Sequence, residues 1–159
     1  MPRVLLLAAL AVLVVGLAAR GFERGEPLPS PYCRAGDPLA GVYHPSRLQV
    51  RRRCVQATGT VTRTKFEPYD GDVHVTLATD DGEQLVVEIV PQDRGRVPIP
   101  DEGAHVSVVG PRVYDTAHDW YEIHPAWWIS SGRIVPASPR ELERARTLLE
   151  GRYAGTDAD

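Results

Sequence analysis

Residues 73–89 read Val73-His74-Val75-Thr76-Leu77-Ala78-Thr79-Asp80-Asp81-Gly82-Glu83-Gln84-Leu85-Val86-Val87-Glu88-Ile89. Val73, Val75 and Leu77 alternate with His74, Thr76 and Ala78. That is the period-two pattern of a strand with one face buried. Asp80-Asp81-Gly82 has the chemistry of a tight hairpin turn. Leu85, Val87 and Ile89 then supply a second inward-facing set. The stretch therefore predicts an antiparallel hairpin.

On its N-terminal side, residues 55–66 alternate in part, with Thr58, Thr60, Thr62 and Thr64 on one parity. Gly59 in their midst predicts a bend or a close backbone approach. Tyr69-Asp70-Gly71-Asp72 is turn chemistry. On the C-terminal side, residues 91–100 are a loop rich in Pro and Arg, with no helical periodicity. Val106 and Val108 mark another strand that runs through Gly110-Pro111 to Tyr114. A turn over residues 115–119 leads to the last strand. There Tyr121, Ile123, Trp127 and Ile129 share the core-like parity, and Glu122, His124, Ala126 and Trp128 share the other. Five strands, the first bent at a glycine and a break after the third, predict an all-β fold. The architecture expected over residues 54–136 is a five-stranded, OB-like Greek-key barrel.

A short helix is expected to follow at residues 137–152. Ser138 can cap it, Pro139 sits at its first position, and Glu141 completes a capping box. Leu142, Ala145, Leu148 and Leu149 form its apolar face, and residues 153–159 read as a disordered tail.

The chain has 159 residues, enough for one domain with appendages. Residues 1–20 form a hydrophobic signal or anchor segment: Met1-Pro2-Arg3 is a short positive start, sixteen uncharged residues follow at 4–19, and Arg20 ends the run. Sixteen lies between the length of a signal-peptide core and that of a membrane-spanning helix. Gly16-Leu17-Ala18 permits cleavage after Ala18. Membrane anchorage through an N-terminal hydrophobic helix and secretion after cleavage both stay open, and both place the domain outside the cytoplasm. Residues 21–53 read as a linker followed by an irregular lead-in.

Formal net charge is −3, and losing Arg3 and Arg20 takes it to −5. Nucleic-acid binding is not expected of a chain with that balance, because phosphate binding runs on Lys and Arg. Arg51-Arg52-Arg53 is the one basic cluster and reads as a solvated stretch before the first strand. Cys33 and Cys54 are the only cysteines. In an exported chain, such a pair reads as a disulfide. It would close a loop of 22 residues, counting both ends.

Three stretches together resemble a family of uncharacterised bacterial OB-fold proteins, many with an N-terminal hydrophobic segment. The first is Asp37-Pro38-Leu39-Ala40-Gly41-Val42-Tyr43-His44-Pro45 with Arg47-Leu48, and the second is Gly71-Asp72-Val73-His74-Val75. The third and most specific is Tyr114-Asp115, His118 and Trp120-Tyr121-Glu122-Ile123-His124-Pro125-Ala126-Trp127. The resemblance covers residues 33–130. It implies a fold and no reaction. The chain departs from the pattern at Asp119, where glycine is usual.

Asp72, His74, Asp115, His118, Trp120, Glu122 and His124 are the candidate ligand-binding residues. Glu122 and His124 stand two apart on a strand and so share a face, about 7 Å apart. Three readings compete. In the first, these groups tie turns and strand edges by hydrogen bonds. In the second, they and Trp120, Tyr121, Trp127 and Trp128 form a binding surface for a sugar, a peptide or a partner protein. In the third, His118, Glu122 and His124 hold zinc in a metal-dependent hydrolase. No HExxH spacing, GxSxG motif or phosphate-cradling glycine loop is present. The leading expectation is a non-enzymatic, extracytoplasmic binding or structural module without a cofactor, with the hydrolase as the alternative.

Overall fold

The computed structural model describes residues 30–153. The leader, residues 21–29 of the linker, and residues 154–159 lie outside the described residues. Among the described residues there are six strands and one α-helix: β1 (Leu48–Phe66), β2 (Val73–Thr79), β3 (Gln84–Ile89), β4 (His105–Asp115), β5 (Trp120–Ile123), β6 (Trp128–Ile129) and α1 (Pro139–Tyr153). Among the described residues no helix is long and apolar enough to cross a membrane.

The fold is all-β apart from α1. The hairpin forms as predicted, with Val73 opposite Ile89 and Ala78 opposite Gln84. β1 is long enough to serve two neighbours. It pairs with β4 from Leu48 to Thr60 and with β2 from Gly59 to Phe66, both antiparallel. Gly59 is where the two pairings overlap, and a Cβ there would press on the backbone of Ala78 and Thr79. Closure comes from a parallel pairing of β3 with β5, Val86 opposite Glu122 and Val87 opposite Ile123, while β5 also pairs with β4. Strands β1–β2–β3–β5–β4 thus form a closed ring, and β6 adds two residues alongside β4.

Alternation sorts the side chains onto two faces of this ring. Inside are Val61, Val73, Val75, Leu77, Leu85, Val87 and Ile123, all buried. A second, smaller cluster forms on the outer face, where Leu39, Val42 and Leu48 cover Val90 and Val113. The lead-in, residues 30–47, is therefore a cover packed on the outside of the ring. The Cys33–Cys54 disulfide ties it to β1, with Cα atoms 5.8 Å apart. Arg34 adds hydrogen bonds to Asp93 at 2.7 Å and to the Trp127 carbonyl at 3.2 Å. Tyr32 stacks on Trp128 with ring centroids 4.1 Å apart.

Four expectations need correction. The first strand begins at Leu48, so Arg51-Arg52-Arg53 lie within it, held there by pairing with β4. The last expected strand is two strands, separated by residues 124–127 with a cis His124–Pro125 peptide. Tyr121 has the inward parity but is exposed, because it stands at the ring's mouth beside Tyr114 and beneath the Arg112 guanidinium. The helix does not dock by its whole leucine face. Only part of that face is covered: Leu142 is exposed, Leu148 and Leu149 are half-buried, and Ala145 is buried. The capping box is formed, with the Ser138 N–H donating to Glu141 at 2.7 Å and the Glu141 N–H to the Ser138 hydroxyl at 3.3 Å. The same Glu141 carboxylate accepts from Arg94, a buried guanidinium beneath the helix that also donates to the Val135 carbonyl. Asp119 has φ 61°, the left-handed region that glycine enters most easily.

Two outcomes follow. The double variant Cys33→Ser/Cys54→Ser is expected to lose about 3 kcal/mol of unfolding free energy, from the entropy of the opened loop. Urea denaturation measures it, and a loss below about 1 kcal/mol would contradict that origin. Glu141 is held at about 2 by its bonds to Ser138 and by Arg94. Its carboxyl is thus depressed on folding, so its contribution is complete above about pH 4.5 and lost as pH falls towards 2. An acid titration followed by circular dichroism should show wild type and Glu141→Gln converging over that interval.

Candidate functional site

The polar residues of the last strands lie on the outer face, and the ring closure decides which of them meet. Glu122 and Ile123 are neighbours on β5, and because Ile123 points into the ring Glu122 points out, beneath the lead-in. His124, just past β5, lies on the same side. Its Nδ1 stands 3.1 Å from Glu122 Oε1, to which it is hydrogen-bonded, and 3.1 Å from Glu88 Oε2. Its Nε2 is 3.5 Å from Asp72 Oδ2, in a geometry that makes no hydrogen bond. Glu88 reaches His74 Nε2 at 3.3 Å through its other oxygen. Asp72, Glu88, Glu122 and His124 are all buried, the imidazole with 1% of its residue surface exposed.

Burial pushes the Asp72 carboxyl up to about 6, although the neighbouring His124 opposes the rise. Burial acts on Glu88 in the same direction, but His124 and His74 override it and hold the carboxyl at about 2. For His124 the balance runs the other way. Burial disfavours its cation, yet Glu88, Asp72 and Glu122 raise its pKa well above the ordinary histidine value. His74 is raised as well, its burial outweighed by Glu88 and Glu67.

A second group sits at the β4–β5 turn. Asp115 is buried; it accepts from the Ala117 N–H at 2.8 Å and meets His118 Nδ1 at 2.8 Å and Arg47 Nε at 3.1 Å. His118 stacks on Trp120, ring centroids 4.7 Å apart, and the Trp120 indole N–H donates to Glu122 Oε2 at 2.9 Å. Trp120 thereby joins the two groups into one run across the outer face.

Of the seven candidates, Asp72, Glu122 and His124 meet directly, His74 joins through Glu88, and Asp115 and His118 pair at the turn. His118 is turned to Asp115 and does not share a ligand cage with Glu122 and His124. The set whose ligand atoms lie within 4.8 Å of one another among the described residues is Asp72, Glu88 and His124. Sequence reasoning missed Glu88. The signal was available: a hairpin centred on Asp81 puts residues whose numbers sum to 162 opposite one another, and His74 faces Glu88. An acidic residue inside an apolar run, opposite a histidine on a sheet face, is a polar pair. Arg47 was quoted only as part of a motif and proves to be the cation beside Asp115.

Where the lead-in stops, the outer face opens into a groove of about 430 Å³. Arg63, Lys65, His74, Thr76, His118 and Trp120 are among its lining residues, with Tyr121 at one end. Trp120 and Tyr121 are both exposed there, while Trp127 and Trp128 are engaged with the lead-in through Arg34 and Tyr32. A larger hollow of about 900 Å³ lies at the ring's mouth, lined by Arg51, Arg112, Glu83 and Tyr121 among others. Its charges are partly spent on one another, as in the Arg112–Glu83 pair at 2.8 Å, and among the candidate residues it contains none. The smaller groove is where the candidate side chains reach solvent.

No protein-family model matches this chain, and no curated protein matches it.

Trp120→Phe keeps an aromatic ring against His118 and removes the N–H that serves buried Glu122. It is expected to cost about 1–3 kcal/mol, the range for stranding a buried acceptor. Urea unfolding measures the loss, and an unchanged stability would mean that the Trp120–Glu122 bond carries no weight.

Proposed function

We propose that this chain is an extracytoplasmic, OB-like binding module. In this reading residues 1–20 hold it at the membrane, or release it after cleavage. The groove on the outer face of β1, β2 and β3 takes a polar ligand with a flat or extended part, a saccharide or a peptide segment. The observation that carries the reading is the place of that groove. It lies on the β2–β3 face, with the β1–β2 and β4–β5 connections contributing Glu67 and His118 to its lining. That is the ligand face of OB-folds. The strand order supports the OB-like assignment, with β1 shared between β2 and β4 and β3 parallel to β5. The resemblance of residues 33–130 to bacterial OB-fold proteins agrees with it. The disulfide supports an oxidising compartment.

The lining suits such a ligand chemically. Trp120 and Tyr121 give flat apolar contact with a polar edge. Arg63, Lys65, His74 and Gln84 supply hydrogen-bond donors around them. Nothing in this arrangement needs a reaction. The hydrolase alternative has less support, because Glu122 and His124 are sealed from any substrate and His118 faces Asp115.

The reading is tested by titrating ¹⁵N-labelled protein with a panel of neutral and uronic-acid oligosaccharides and short peptides. Shifts centred on Lys65, His74, Thr76 and the Trp120 indole are expected, and Trp120→Ala should weaken the interaction at least about tenfold, a contact worth about 1.4 kcal/mol. Shifts confined to the ring's mouth around Arg112 would move the site. Turnover of any substrate that is lost in a folded His124→Ala variant would overturn the non-enzymatic reading.

A further inference from the structure

We infer that Asp72, Glu88 and His124 form a buried site for a divalent transition metal of the zinc class, which fastens the β1–β2 turn to β3 and to the end of β5. The three residues come from three separate parts of the chain, and their ligand atoms lie within 4.8 Å of one another. All three are buried, and Glu88, whose Oε2 lies 3.1 Å from Nδ1, would turn its carboxylate towards Nε2 to complete the set.

The histidine supplies an independent sign. His124 Nδ1 is hydrogen-bonded to Glu122 Oε1 at 3.1 Å, and because a carboxylate only accepts, the neutral imidazole carries its proton there. In that tautomer Nε2 presents a lone pair, and Nε2 is buried with no hydrogen-bond partner. A lone pair on one nitrogen and an N–H held by a carboxylate on the other is the arrangement that orients metal-bound histidines. The position of Asp72 fits too. Two donors each about 2.1 Å from one ion stand about 3.0–3.5 Å apart. Asp72 Oδ2 is 3.5 Å from Nε2, which has no hydrogen-bond partner, a spacing suited to sharing a cation.

The donor set selects the ion. One imidazole nitrogen with two carboxylates suits zinc and its neighbours, whereas calcium and magnesium take oxygen ligands. Burial excludes substrate, which makes this a site that stabilises structure. Glu122 is then a positioning residue, holding the imidazole through Nδ1. The competing arrangement is a doubly protonated imidazole among the carboxylates, without metal. A proton on Nε2 and a metal on Nε2 exclude each other, so the two can be told apart at one atom.

The test uses the full chain in detergent, without a histidine tag, stripped with EDTA and reloaded with Zn²⁺. Elemental analysis is expected to find about one zinc per chain after removal of excess, with a raised melting temperature, and Ca²⁺ should produce neither. Asp72→Asn and Glu88→Gln should each lower zinc affinity by more than about a hundredfold, and Glu122→Gln by about 10–100-fold. His118→Ala should leave it unchanged. Long-range ¹H–¹⁵N spectra of the loaded protein should show His124 with Nδ1 protonated and Nε2 at a metal-bound shift. The inference fails if zinc is not retained stoichiometrically. It fails equally if binding is undiminished in Asp72→Asn and Glu88→Gln, or if both His124 nitrogens carry protons in zinc-loaded protein. The spectra read the site directly, so a variant that does not fold leaves the question decidable on the wild type.

Discussion

A histidine surrounded by three carboxylates and closed off from solvent is the constraint around which this structure is arranged. Taking charged groups out of water costs several kcal/mol per ion unless partners replace the lost hydration. Here the partners come from every element that meets at the ring's closure. Asp72 precedes β2, Glu88 lies in β3, and Glu122 and His124 lie in and just after β5. The β3–β5 pairing is short and parallel, two registered residue pairs, and could be the weak link of the ring. The polar cluster sits on that joint. Removing His124 would leave three carboxylates together without the imidazole between them, so the cluster ties the closing strands to one another.

The lead-in completes this arrangement. Without it Val113 would lose its cover and Asp115 would lose the Arg47 guanidinium. Its apolar residues Leu39 and Val42 do the covering, and the disulfide, Arg34 and Tyr32 hold its start in place. The cover ends near His74, which is part-exposed and touches both Glu88 and the open groove. One sheet face is thus divided between a sealed polar core and a groove open to solvent. His74 is the residue through which a ligand in the groove would feel the charge behind it.

Much of this was legible in the chain. The hairpin at 73–89, the close backbone approach at Gly59, the capping box at Ser138–Glu141 and the Cys33–Cys54 bridge each follow from local chemistry, which acts over a few residues or through one covalent bond. Failures came where long-range geometry decides. Tyr121 has the inward parity, but parity says nothing about where along the ring the core ends. The leucines of α1 form a stripe, yet Leu142 at its start stays exposed, where the Arg94–Glu141 pair anchors the helix. Glu88 reads as an ordinary polar residue until the hairpin register sets it opposite His74.

By itself the sequence determined the elements, their order and which side chains alternate, because periodicity, turn residues and caps are properties of neighbours along the chain. It also carried the sealed residues as an unusual set of His, Asp, Glu and Trp. Only the tertiary structure decided which of them meet. Contacts such as Asp72 to His124, or Arg47 to Asp115, join residues more than fifty positions apart and depend on strand order, on register and on what the lead-in covers. Burial then gives those contacts their meaning, because the same carboxylates on an open strand would be solvated and indifferent to one another.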